Sequence, residues 1–340
     1  KVAFNAIIGV YEQRVHDWLG SSTMDADSNE RTALVSLAYQ GFINVGSSQL
    51  LKLAIVNNDR AEAWYEIRYN TNVEARRFLE ADTFGLYNEG VDPNDSSTMT
   101  DIDAKGAYRT LTRHRTTIYG EDGLEGGGDD YEQTNQSRLN TAVSWGNQLG
   151  IPVQSLQGNL QPARTYLYEE YITNAGLTAM LTGDILIGED LTTLYYKSTD
   201  ADLLTGTTNN DLLFGETGHD LLDGAGGSDV LYGGDGRDTL TGGAGHDVLL
   251  GGLGNDVLIS GTGDDTLRGG LGTDLYLYEG GHVVLHDDDG LGRILYKDPV
   301  TGDTLALTGG SRSADTPTGP YVSADGRITY TPSGTDLLIT

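Results

Sequence analysis

Between Gly206 and Tyr278 an aspartate returns every nine residues: Asp211, Asp220, Asp229, Asp238, Asp247, Asp256, Asp265 and Asp274. Two positions before it stands a glycine (Gly218, Gly227, Gly236, Gly245, Gly254, Gly263, Gly272), with Asn209 in the first unit. Five positions before it stand Gly206, Gly215, Gly224, Gly233, Gly242, Gly251 and Gly269, with Ser260 as the one departure. A second glycine follows in the later units (Gly234, Gly243, Gly252, Gly261, Gly270). Two positions after each aspartate comes Leu213, Leu222, Leu231, Leu240, Leu249, Leu258 or Leu267, and finally Tyr276. The unit is GGxGxDxUx, and eight copies in register exclude a chance match.

That period dictates a winding chain. Three-residue strands around Asp-x-Leu-x alternate with six-residue glycine turns, and the leucine is the inward side chain. Two units make one 18-residue coil, so equivalent aspartates stack in two columns, 211/229/247/265 and 220/238/256/274. Stacked strands lie about 4.8 Å apart. Carboxylates at that spacing repel by roughly 1 kcal/mol in water and several at an effective dielectric near 20. A cation between neighbours removes this opposition. Carboxylate plus backbone carbonyl is a hard oxygen shell that suits Ca²⁺ over Zn²⁺. The candidate ligands are the eight aspartates with the glycines named above from Gly215 to Gly272. Three gaps per column give about six ions. Seven inward leucines are too few to order so glycine-rich a stretch, so calcium is expected to supply part of the folding free energy.

The net charge of −29 and pI near 4.2 argue against nucleic acid and anionic membrane as partners. The absence of cysteine excludes disulfides and thiolate metal sites. Acidic, cysteine-free and built on this nonapeptide, the chain resembles RTX proteins exported by bacterial type I secretion. The resemblance implies a parallel β-roll, an extracellular location and the type I machinery as a partner. No apolar run of about 20 residues spans a membrane and no signal peptide is visible. The chain opens at Lys1 inside a helical pattern, and it reads as part of a longer protein.

Residues 1–119 read as helices. Phe4, Ile7, Ile8, Tyr11, Val15, Trp18 and Leu19 share one face, and Gly20 stops that helix. Asp27 with Glu30 forms a capping pair for a second helix; Ser47 or Ser48, Asp59, and Thr71 or Asn72 open the next three. Ala104 to Tyr119 continues as helix, with Arg109, Arg113 and Arg115 on a solvated face. The runs Arg31–Gln40 (RTALVSLAYQ), Ala61–Asn70 (AEAWYEIRYN) and Glu74–Glu80 (EARRFLE) resemble the C-terminal lobe of phage-type lysozymes. The resemblance covers about a quarter of the chain. It implies a peptidoglycan hydrolase whose catalytic carboxylates lie upstream of Lys1, so no catalytic residue is assigned and the chain alone is expected to be inactive. Glu66 and Glu80 read as helix-surface residues or ion-pair partners of Arg68, Arg76 and Arg77, and Trp64 and Tyr65 as core. Cell-wall glycan is the implied partner; a non-enzymatic secreted adhesin or toxin-associated module is the alternative.

The expected fold class is therefore multidomain: an all-α lysozyme-like lobe (1–119), a loop and helical or strand region (120–203), a parallel β-roll (204–280) and a β-cap (281–340). In the second region Pro162 suits the first turn of a helix, and strands at 184–187 and 191–196 cap the first coil. In the last, Asp287-Asp288-Asp289-Gly290 is a turn with room for one more cation. HExxH, GxSxG and the phosphate loop GxxxxGK[ST] are all absent.

Overall fold

A computed structural model of the chain describes residues 2–20, 28–40, 49–69, 75–88, 90–92, 95–119, 131–174, 181–188, 201–289, 291–297, 301–306, 321–322, 329–333 and 336–339. It divides into two compact units, Lys1–Tyr171 and Ile172–Thr340.

The first unit is helical: α1 (Val2–Leu19), α2 (Asn29–Tyr39), α3 (Gln49–Val56), α4 (Arg60–Arg68), α5 (Ala75–Phe84), α6 (Asp101–Arg113), α7 (Arg115–Tyr119), α8 (Tyr131–Thr134), α9 (Gln136–Leu149) and α10 (Leu156–Tyr168). Local chemistry sets the ends. Gly20 leaves α1 at φ +73°. The Asp59 carboxylate accepts the Glu62 N–H (3.1 Å) at the start of α4. Asp27 lies outside the described residues, and it is the Ser28 hydroxyl that caps α2, accepting the Arg31 N–H at 3.1 Å. Pro162 falls inside α10 and not in its first turn, because Ser155 already caps that helix upstream through the Gly158 N–H. The predicted helix over 104–119 breaks at His114, whose ring stacks on Tyr65 with centroids 3.6 Å apart. Replacing Ser28 with Ala is expected to destabilise this unit by about 1 kcal/mol, read as a small drop in its melting temperature.

Its core holds Trp64, Tyr65, Ile67, Phe78 and Phe84, and it also encloses charge. Arg68 is fully buried and donates to Asp82 (3.0 Å), Glu132 (2.6 Å) and the Gln154 carbonyl (2.7 Å). Its guanidinium lies 4.8 Å from the Trp64 ring centre and 4.7 Å from that of Phe78. Buried Glu62 takes Arg113 and His114, both at 2.8 Å, so Arg113 does not belong to a solvated face. Of the two readings of Glu66 and Glu80, the helix-surface one is corrected and the ion-pair one holds for Glu80. Both are buried, and Glu80 binds Arg76 (3.1 Å) and Arg77 (2.7 Å). Helical periodicity cannot distinguish a charged face turned to water from one turned to a buried partner.

The second unit is wound from parallel strands in two sheets. One runs β1 (Ile185–Ile187), β3 (Leu212–Gly218), β5 (Val230–Gly236), β7 (Val248–Gly254), β9 (Asp265–Leu271) and β11 (Val283–His286). The other runs β2 (Leu203–Thr205), β4 (Leu221–Asp223), β6 (Thr239–Ala244), β8 (Val257–Thr262), β10 (Leu275–Tyr278) and β12 (Arg293–Lys297). Parallel winding persists through β12. Antiparallel strands then follow: β13 (Thr304–Ala306) on β12, and β14 (Tyr321–Val322), β15 (Thr329–Ser333) and β16 (Asp336–Ile339) beyond β11.

The register is the sequence period: Leu213 pairs with Leu231, Leu231 with Leu249, and Leu249 with Leu267. These leucines, with Leu222, Leu240, Leu258 and Tyr276, form one buried stack. Several strands are longer than the three residues expected. β5 has seven, because the glycine turns pair as well, Gly234 with Gly252. The strand at 185–187 is not a cap but part of a further coil. β1 pairs with β3 at Leu186↔Leu213 while β2 pairs with β4 at Leu204↔Leu222. The first offset is 27 residues and the second 18, so this coil carries nine extra residues. The expected strand at 191–196 lies outside the described residues.

Candidate metal centre

Each column is held together through its aspartates. The N–H of one aspartate donates to Oδ1 of the aspartate one coil later: Asp211 to Asp229 (2.7 Å), Asp229 to Asp247 (2.8 Å) and Asp247 to Asp265 (2.9 Å). The other edge repeats this from Asp220 to Asp238 (2.8 Å), Asp238 to Asp256 (2.9 Å) and Asp256 to Asp274 (3.0 Å). All eight carboxylates are buried. Yet Oδ2 of Asp220, Asp229, Asp238, Asp247, Asp256, Asp265 and Asp274 has no hydrogen-bond partner. Seven orphaned carboxylate oxygens in register are far outside what a folded protein tolerates without a compensating group.

Burial, opposed by the backbone N–H bond, pushes Asp229 up to about 8 and Asp265 up to about 7. Burial likewise pushes Asp220, Asp238, Asp247 and Asp256 up to about 6. The sign follows. A raised folded pKa makes ionisation in the fold unfavourable, so without a cation stability falls as pH rises from about 4 through 6 to 8.

The glycines five positions earlier form the other wall. A Cβ placed on Gly215 would lie 2.5 Å from the Gly233 carbonyl oxygen and 2.7 Å from Asp220 Oδ2. The same pair of oxygens crowds Gly224 (2.6 Å from Gly242 O, 2.5 Å from Asp229 Oδ2), Gly233 (2.6 Å from Gly251 O, 2.7 Å from Asp238 Oδ2), Gly242 (2.5 Å from Ser260 O, 2.6 Å from Asp247 Oδ2) and Gly251 (2.5 Å from Gly269 O, 2.6 Å from Asp256 Oδ2). Carbonyl and carboxylate oxygens thus converge where only a residue without a side chain fits. The remaining predicted glycines make the turns: Gly245 sits at φ +144° and Gly252 at +114°. In two earlier units Glu216 and Ala225 occupy that second-glycine position at φ +72° and +67°. Asp211 differs from the rest, because Thr207 donates its N–H (2.7 Å) and its hydroxyl (3.0 Å) to Oδ2.

Two residues were not found from the period. Asp184 and Asp202 are the first members of the two columns: the Asp184 N–H donates to Asp211 Oδ1, and that of Asp202 to Asp220 Oδ1 at 2.7 Å. A Cβ on Gly188 would lie 2.6 Å from the Gly215 carbonyl and 2.8 Å from Asp202 Oδ2, the same cradle again. The signal was Asp-x-Leu-x-Gly, present at 184–188 and 202–206. Counting by nines places Asp184 on the edge of Asp220; the extra residues put it on the edge of Asp211.

Among the described residues no group of three or more His, Asp and Glu side chains is arranged to hold a metal. The ladder's donors are instead one carboxylate type and backbone carbonyls. An all-oxygen cradle lined by orphaned buried carboxylates fits calcium. Parallel coils bearing such a ladder on each edge define a calcium-binding β-roll. Residues 198–231, 223–258 and 250–285 match the family model of the RTX calcium-binding nonapeptide repeat, so this segment is an RTX β-roll. No curated protein matches the chain. Among the described residues no helix is long and apolar enough to cross a membrane.

The helical unit has an open groove of about 1080 Å³, lined in part by Arg60, Asp82, Asn88, Gln154 and Asn159. Asp82 is already committed: Oδ1 accepts from Arg68 and Oδ2 from the Gln154 N–H (2.9 Å).

Proposed function

We propose that this chain is the calcium-folded portion of a secreted bacterial protein, and that its columns bind calcium through Asp211, Asp220, Asp229, Asp238, Asp247, Asp256, Asp265 and Asp274 with the cradle glycine carbonyls. The row of orphaned Oδ2 atoms carries this reading. The gaps among these eight take about six ions, and Asp202 with Gly188 offers one more on the second edge. Extracellular calcium modules work at about 10⁻⁴–10⁻³ M, so the roll stays unfolded in the producing cell and folds outside, which suits threading through a type I export channel.

The helical unit is the substrate-facing part of a peptidoglycan hydrolase, with the catalytic carboxylates supplied from outside residues 1–340. Amide side chains of Asn88, Gln154 and Asn159 along its groove support a glycan-binding reading. The alternative is a non-enzymatic adhesin; Glu62, Asp82 and Glu132 are all engaged by Arg68, Arg113 or His114, and neither reading places catalysis on them. The two readings separate in one assay. Residues 1–340 should bind purified peptidoglycan without clearing it, while the longer parent clears it. Clearing by residues 1–340 alone contradicts the hydrolase reading as stated, and a parent that binds without clearing favours the adhesin.

A further inference from the structure

The second column ends in an arrangement that the repeat does not contain. Asp274 is 1 % exposed, its Oδ1 accepts the Asp256 N–H, and its Oδ2 has no partner. In the coils before it, that oxygen faces a glycine carbonyl from one coil further on. Beyond Gly269 the equivalent position is Asp287, and a Cβ on Gly269 would meet Asp274 Oδ2 and the Tyr276 hydroxyl.

Tyr276 occupies the inward leucine position of the last unit. Its ring continues the buried stack, and its longer side chain carries a hydroxyl out to the edge. There the hydroxyl accepts the Gly269 N–H (3.1 Å) and donates to the His286 carbonyl (3.3 Å). Asp287 is drawn to the same place: its Oδ2 accepts the Gly292 N–H at 2.8 Å, and a Cβ on Gly292 would touch both that oxygen and the edge of the Tyr276 ring. Asp289 fixes the turn by accepting the Gly272 and Leu291 N–H groups. The Tyr276 hydroxyl therefore lies beside a buried oxygen that lacks a partner, and the Asp287 carboxylate lies at the edge of the same ring.

We propose that this end of the roll binds one additional Ca²⁺ through Asp274, the Asp287 carboxylate and the Tyr276 hydroxyl, a site built from residues that depart from the nonapeptide. The site rests on the reading that the columns bind calcium. Its role is to tie the last coil to β12, where the Arg293 N–H bonds the Asp274 carbonyl (2.8 Å). At the terminus the Asp287 carboxylate takes the ligand position that the next glycine carbonyl holds in the coils before it.

The test counts calcium in the whole chain by native mass spectrometry, comparing the parent with Asp287→Asn and, as control, Asp288→Asn. The Asp288 side chain bonds His286 at the surface. Asp287→Asn should bind one ion fewer than the parent, and Asp288→Asn the same number as the parent. Equal counts in all three overturn the terminal site and leave the column reading standing. A parent that binds no calcium overturns both. Should Asp287→Asn fail to fold, Tyr276→Phe keeps the ring in the stack. Calorimetric titration of that variant should show one ion weakened about tenfold, and an unchanged titration overturns the proposal.

Discussion

Chelating calcium is expected to unfold the roll. In excess chelator the β circular dichroism of residues 203–297 should be lost and protease should cut within the repeats, while the helical signal of residues 60–168 persists. The effect is large because so many terms reverse together. Without cations Oδ2 of seven buried aspartates from Asp220 to Asp274 keeps no partner, and burial disfavours the ionised forms of Asp229 and Asp265 at pH 7. The leucine stack remains, but each nine-residue unit contributes a single inward side chain against the ordering of several glycines. Because several ions bind together, recovery on adding calcium should be steep. A chelated chain with unchanged spectrum and unchanged protease resistance would be inconsistent with the roll described above.

The second large effect lies in the other unit. Arg68→Ala is expected to destabilise the helices by about 3–5 kcal/mol. Asp82 and Glu132 would be left near a cavity with no cation, and the stacking of the guanidinium on Trp64 and Phe78 would go with it. For a unit of this size that is a fall of roughly 10 °C or more in the thermal midpoint. Arg68→Lys should recover only part, since one ammonium cannot reproduce the planar fork that reaches Asp82, Glu132 and the Gln154 carbonyl at once. The calcium midpoint of the roll should not move in either variant. Thermal scans with and without calcium read both quantities in one sample.

These expectations draw unequally on sequence and structure. The columns and the leucine stack were legible because one residue type recurs at one spacing, and winding converts that spacing directly into contact. Asp59 and Gly20 were legible because a cap is local chemistry. Asp184 was not, since nine extra residues between β1 and β2 move it to the opposite edge from the one its number implies. Nor were the partners of Glu62 and Arg68. Arg113 and His114 lie some fifty positions from Glu62, and Glu132 lies 64 from Arg68, so no local pattern connects them. The Tyr276 hydroxyl shows a third kind of gap: the sequence displays the departure from leucine, and only the fold shows where the extra atoms go.

The most direct test of the central claim is to locate the ions. Crystals of the chain grown in calcium should give anomalous difference peaks along both edges, between successive aspartates such as Asp220 and Asp238, or Asp229 and Asp247, within reach of the Oδ2 atoms that have no protein partner. A folded roll with no anomalous peak in either column would contradict the account.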